Sequence, residues 1–290
     1  MNPGFVKNMK YFSTSFLLAI LFVCGCSRAV QKDLKDANYY FERGMKQIEK
    51  KDYARAVESF QTIVESHASS GLVDKAQFML AEAHYLNEDY ITAEYEYERV
   101  YMDFPSSQHA AEAWYKKAMC LYNESPKANL DSENTLKAID EYNRFLENFP
   151  YHELVSDAKG KIGELREKLA YKDYLNAEQY RKMKAYDAAI IYYDSVISNY
   201  PQSVWIEFCQ FGKGIIYMKL MKMELKLLKR INKSENPDLL RVEKVTEEAL
   251  KQFNLAKTMF SIVVNSETYP NLKKKASKFI TKLDEIKELK

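Results

Sequence analysis

The apolar positions of this chain fall into one recurring pattern: an aromatic, an alanine, a second aromatic four residues on, then an aromatic–proline pair. Tyr90, Ala93, Tyr97 and Phe104-Pro105 form the clearest copy. Ala138, Tyr142 and Phe149-Pro150 form a second, and Tyr186, Ala189, Tyr193 and Tyr200-Pro201 a third. Tyr53, Ala56 and Phe60 begin a fourth that ends in His67-Ala68-Ser69, without the proline. In each complete copy the proline lies twelve residues after the alanine. The pattern predicts helical hairpins. A small alanine lets two helices approach, the aromatic one turn later fills the same face, and proline stops the second helix. A single hairpin cannot bury its own apolar face, so the copies must stack.

The register resembles the tetratricopeptide repeat. Ala56 and Ala93 are 37 residues apart, close to that family's period of about 34. Trp114, Ala118 and Leu121-Tyr122 follow its pattern of Trp, a small residue four on, then Tyr. Gln77-Phe78, Ala81 and His84-Tyr85 occupy the same places one repeat earlier, and Tyr40-Phe41, Gly44 and Gln47-Ile48 one earlier still. Ala177 and Tyr180 mark a fourth repeat, and Gly214 and Tyr217 a fifth. Longer intervals separate the later alanines. The first excess falls in a polar loop, 125–132; the second falls in 152–172, which keeps a helical pattern through Leu154, Ala158, Ile162, Leu165 and Leu169. One long helix over about 152–183 is expected there. Repeat five should carry a long first helix, a break over Asn232–Asp238 containing Pro237, and a second helix over about 239–265. After Tyr269-Pro270, Leu272, Ala276, Phe279, Ile280, Leu283 and Ile286 make one stripe on a lysine-rich helix, the polar-backed cap that the end of a stack requires. The fold class is therefore all-α: a tetratricopeptide-repeat solenoid of about five helical hairpins plus a C-terminal capping helix.

Composition agrees, with 22 Tyr and only eight Gly in 290 residues. The net charge of +2 comes from Lys7 and Lys10, so residues 26–290 are electrically balanced and carry no excess that would suit nucleic acid. Those two lysines precede an apolar stretch, Tyr11–Val23, too short to span a membrane and suited to a signal peptide, with Met9 as an alternative start. The stretch ends Val23-Cys24-Gly25-Cys26, which resembles a bacterial lipobox. Gly25 before Cys26 fits; Val23 before Cys24 does not. The resemblance implies a signal peptide over 1–25, cleavage before Cys26, a covalent lipid on Cys26 as the only attached group, and a tether over 26–33. Ser27 after the cysteine favours sorting to the outer membrane. Cys120 and Cys209 are expected as separate, buried packing residues.

No catalytic motif is present, and the four histidines show no metal-ligand spacing, so neither catalytic nor metal-binding residues are expected. The candidate site is aromatic. Phe41, Phe78 and Tyr115 share one repeat position, and Ile48, Tyr85 and Tyr122 another. In tetratricopeptide proteins these positions face the concave groove, where rings beside Lys75, Glu82, Glu112, Lys116 and Asn123 would suit an extended peptide. The competing reading is that the same rings pack between neighbouring helices.

With a lipobox and five hairpins, the chain resembles the BamD family of outer-membrane β-barrel assembly lipoproteins. The resemblance is most specific over Tyr122–Pro150, with Ser125-Pro126, Leu130-Asp131, Thr135 and Ala138-Ile139, and over Leu165–Ala170 and Asn176–Tyr180. Ser132 stands where the family often has Gln, the first repeat lacks its proline, and repeat five is extended. The resemblance implies a non-enzymatic role at the periplasmic face of the outer membrane. Repeats one to three, 34–151, would receive unfolded outer-membrane protein precursors; repeats four and five with the cap, 152–290, would dock on a BamA-type partner. Other readings are a cell-envelope scaffold of the same fold and address, a SusD-type glycan-binding lipoprotein, which needs large insertions absent here, and a lytic transglycosylase, which needs a catalytic domain that no residues remain to build.

Overall fold

A computed structural model describes residues 35–128, 131–235 and 238–286. The signal peptide, the tether and Cys26 lie outside the described residues, as do Leu130 and Pro237. Among the described residues there are eleven α-helices and no strands. They are α1 (Ala37–Glu49), α2 (Tyr53–Ser66), α3 (Val73–Leu86), α4 (Tyr90–Asp103), α5 (Ala110–Glu124), α6 (Glu133–Asn148), α7 (Val155–Lys182), α8 (Tyr186–Asn199), α9 (Ile206–Ile231), α10 (Leu239–Asn265) and α11 (Pro270–Asp284). They pair in sequence as five hairpins followed by one more helix. The chain divides into two compact units between Ala76 and Gln77, within α3. The partition expected near 151 is one of roles and belongs to the functional proposal.

In the first unit, Asp36 caps α1 by accepting from the Tyr39 N–H at 2.9 Å. Ala56, Phe60 and Ile63 of α2 are fully buried. Gly44 of α1 is required by closeness: a Cβ there would stand 2.6 Å from the Phe60 ring.

In the second unit the recurring motif is the core. Ala93, Ala138 and Ala189 are fully buried, and so are Tyr97, Tyr142 and Tyr193 one turn later. The ends of the second helices repeat as well. His67, Phe104, Phe149 and Tyr200 follow α2, α4, α6 and α8 with φ between −128° and −130°. Each accepts a turn bond from the N–H three residues on, those of Ser70, Ser107, His152 and Ser203. Proline disfavours helical geometry in the residue before it and lacks an N–H to continue the helix. At His67-Ala68 the same turn forms without it.

The hairpin turns of repeats one, two and four share a device. Lys51, Glu88 and Lys184 take φ of 58°, 61° and 63°. The next N–H then reaches back to a helix carbonyl: Asp52 to Gln47 at 2.8 Å, Asp89 to His84 at 3.0 Å and Ala185 to Tyr180 at 3.0 Å. Repeat three instead uses the polar loop after α5, and repeat five the break after α9, both where the spacing predicts them.

The 28-residue α7 belongs to two cores. Ala158, Ile162 and Leu165 pack with Tyr115, Tyr142 and Phe145 of repeat three. Ala170 and Ala177 pack with Ala189, Tyr193 and Cys209. The helix begins at Val155, three residues later than expected. At the far end, a Cβ on Gly214 would stand 2.8 Å from Phe260, and Phe279 of α11 stacks on Phe260 at 5.1 Å. Leu272, Ala276 and Leu283 of α11 are buried there, forming the expected cap. Cys120 and Cys209 are buried free thiols in different clusters. Burial raises both thiol pKa values, Cys209 to about 12.

Candidate functional site

The six candidate residues fall in both units. In the first, Phe41 is half-buried, edge-on to Phe60 at 5.6 Å, with the Lys75 ammonium 4.8 Å over its ring. Ile48 is also half-buried.

In the second unit, position decides. Phe78 is 6% exposed, stacked on His109 at 4.8 Å and edge-on to Tyr97 at 5.8 Å. Tyr115 is 5% exposed, against Tyr142 at 5.6 Å and Phe145 at 5.7 Å, and donates its hydroxyl to Asp157. Burial, with that carboxylate, raises the Tyr115 hydroxyl pKa well above its ordinary value. At Phe78 and Tyr115, then, the rings pack between helices, and neither presents a face to a ligand.

Tyr85 and Tyr122, one repeat apart, are half-buried and differently placed. The Tyr85 hydroxyl accepts from Asn123 Nδ2 at 2.9 Å, and Lys116 Nζ lies 5.0 Å over its ring. Lys116 also pairs with Glu82 at 2.8 Å, which accepts the Tyr97 hydroxyl at 2.5 Å. The Tyr122 hydroxyl donates to Glu164, and Lys161 Nζ lies 4.4 Å over that ring. The bond to Glu164, with burial, raises the Tyr122 pKa. Beside it a cavity of about 300 Å³ is lined by Tyr122, Asn123, Ser125, Glu164, Leu165 and Lys168. Lys168 donates to the Ser125 carbonyl at 2.8 Å and hydroxyl at 2.7 Å, pinning the loop after α5 onto α7. Burial depresses its pKa.

This face therefore offers two rings with fixed hydroxyls, cations over them, and carboxylates alongside. It can hold apolar or aromatic side chains and bond a polar backbone; it assembles no nucleophile–base pair. The α7 contribution was missed in the sequence. Its signal was Lys161, Glu164 and Lys168 at i, i+3 and i+7 on a helix already expected. Lys117 was missed too: it is buried between Glu98 at 3.1 Å and Glu141 at 3.4 Å. The four histidines sit in packing or turns, His84 Nδ1 3.1 Å from Asp89 and the other three against Tyr40, Phe78 and Phe145. Among the described residues no group of three His, Cys, Asp or Glu could hold a metal, and no helix is long and apolar enough to cross a membrane.

Successive helical hairpins define a helical-repeat scaffold. The family model for YfiO, described as an outer membrane lipoprotein, matches residues 33–234, and the chain belongs to that family. Among curated relatives, the outer membrane protein assembly factor BamD of Rickettsia prowazekii is 28% identical over 63% of this chain and 76% of its own. BamD of Caulobacter vibrioides is 24% identical over 61% of this chain and 60% of its own. A putative BamD of Aquifex aeolicus is 24% identical, over 65% and 63%. A solved tetratricopeptide-repeat protein from Bacteroides fragilis is similar over 86% of this chain and all of its own, at 11% identity and a TM-score of 0.48. At that score the fold assignment rests on the hairpins of this chain itself.

Proposed function

We propose that this chain is a non-enzymatic, lipid-anchored assembly factor of the outer membrane. It binds unfolded outer-membrane protein precursors and docks on a BamA-type barrel protein. The observation that carries the reading is the family match over 33–234, with relatives named as outer membrane protein assembly factors. The lipobox supports anchoring through Cys26 on the periplasmic face. A precursor strand in transit presents aromatic side chains and unpaired backbone. Tyr85 and Tyr122, with Lys116, Lys161 and Asn123, offer matching partners. Each ring contact contributes about 0.5–1.5 kcal/mol beyond area burial, so several must act together. Repeats four and five, including α8 and α9, are the proposed docking end.

The test is a double variant, Tyr85→Ala with Tyr122→Ala, expressed in a cell that makes the partner. Half-buried rings allow it to keep its fold, which a thermal melt checks first. The expected outcome is weaker binding of a C-terminal barrel-strand peptide, with the barrel protein still co-purifying from detergent-solubilised membranes. Unchanged peptide affinity in the folded variant would remove Tyr85 and Tyr122 from the site. Absence of any barrel protein in the wild-type purification would favour a cell-envelope scaffold instead.

A further inference from the structure

Within the proposed docking end, the extension of repeat five carries a charged face of its own. Between α9 and α10 the hairpin is long, 26 residues against 27, and α10 and α11 lie beyond the residues the family match covers. Met218, Met221 and Leu225 of α9 are buried against α10 and α11. A second face of α9 is exposed and largely basic: Lys219, Lys222, Lys226, Lys229 and Arg230 recur at i, i+3, i+4 and i+7 spacing, and Lys233 follows just past its end. Lys222, Lys226 and Arg230 make no ion pair among the described residues. The single acid in that stretch, Glu224, sits off the ridge, beside Arg241 and Lys244 of α10. From 219 to 244 there are eight basic and four acidic side chains, while 26–290 as a whole is balanced, so positive charge is concentrated here.

The ridge ends at the tip of the hairpin, where α10 begins with Leu239 and Leu240, 77% and 76% exposed. Met223, on the ridge itself, is 59% exposed. Basic side chains beside large solvent-facing apolar ones make up an interfacial surface. The cations meet phosphate headgroups and the apolar side chains enter the acyl boundary. A protein partner would need a pocket shaped for two adjacent leucines; a bilayer accepts them without one.

We propose that the basic face of α9, with Leu239 and Leu240 at the start of α10, is a second membrane contact, which lies against bilayer surfaces bearing anionic headgroups. It builds on the membrane association inferred above but does not use Cys26. The test takes the exported, processed full chain and mixes it with vesicles of phosphatidylcholine alone or with added phosphatidylglycerol. Flotation on the neutral vesicles reports the lipid anchor. Amide hydrogen exchange over α9 and the start of α10 then reports the tip. The tip amides are expected to slow several-fold on anionic vesicles only, and the effect to fade as salt rises. Lys222→Glu, Lys226→Glu and Arg230→Glu together should abolish the difference while leaving flotation on neutral vesicles unchanged. Leu239→Asp with Leu240→Asp should reduce it. Equal tip exchange on both kinds of vesicle overturns the proposal, as does tip protection that appears only with an acidic protein bound. Failure to float on neutral vesicles, with tip protection kept on anionic ones, removes the anchor and leaves the tip contact standing.

Discussion

Gly44 touches Phe60 so closely that any Cβ would displace the ring, whereas a Cβ on Gly163 of α7 would meet nothing within 4 Å. Gly44→Ala should destabilise the fold by about 1–3 kcal/mol, the usual cost of overpacking. Gly163→Ala should stabilise it by about 0.5–1 kcal/mol, by removing backbone freedom from the unfolded chain. Paired thermal melts measure both, and a Gly44→Ala variant as stable as wild type would show that α1 and α2 are further apart than described. Glu178 gives a pH-dependent counterpart. It pairs with Arg181 at 2.5 Å and accepts the Tyr193 hydroxyl. Burial works against its charge, but these two bonds outweigh it, and its pKa falls below the ordinary 4.5. Its stabilisation is therefore complete above that ordinary value and is lost as pH falls through the lowered one. Glu178→Gln should flatten the fall of Tm as pH drops below the ordinary 4.5 and through the lowered pKa.

At the scale of the helix and its turn, repeat one is the informative exception. His67 takes the same φ as Phe104, Phe149 and Tyr200, yet Ala68 stands where the others have proline. The Ala68 N–H makes no backbone bond in this turn. Ala68→Pro should therefore stabilise the first unit by about 0.4–1 kcal/mol through the unfolded state. A lowered melting temperature would mean that the Ala68 backbone is not compatible with proline. These turns also mark how far the sequence could be read. Helix positions followed from alanine, aromatic and proline at fixed offsets, because the same packing problem is solved in each hairpin. The polar loop after α5 and the break before α10 followed from surplus length. The left-handed residues Lys51, Glu88 and Lys184 did not, since none is glycine; all three are exposed, and the backbone bonds that close the helix ends hold them there. The site was legible only in part. Spacing alone cannot separate Phe78 and Tyr115, which face inward, from Tyr85 and Tyr122 seven residues later in the same helices. Spacing puts Lys161, Glu164 and Lys168 on one face of α7, but not their contacts with Tyr122 and Ser125, which depend on how α7 lies over α5.

Across the second unit, repeats usually unfold as weakly coupled neighbours. Here α7 serves two hydrophobic clusters with one uninterrupted backbone. The two should open together in hydrogen exchange. Arg166→Pro, at an exposed position between them, would cost about 3 kcal/mol locally and should split that opening into two separate events. Two events already present in the wild-type protein would show that α7 does not couple them.

A helix of 28 residues is also a ruler of roughly 42 Å. Glu164, which accepts the Tyr122 hydroxyl, and Glu178, which accepts that of Tyr193, lie on this one rod, so the two hairpins they anchor are kept about 21 Å apart at a set rotation. A ligand that touched both hairpins would have to match that spacing.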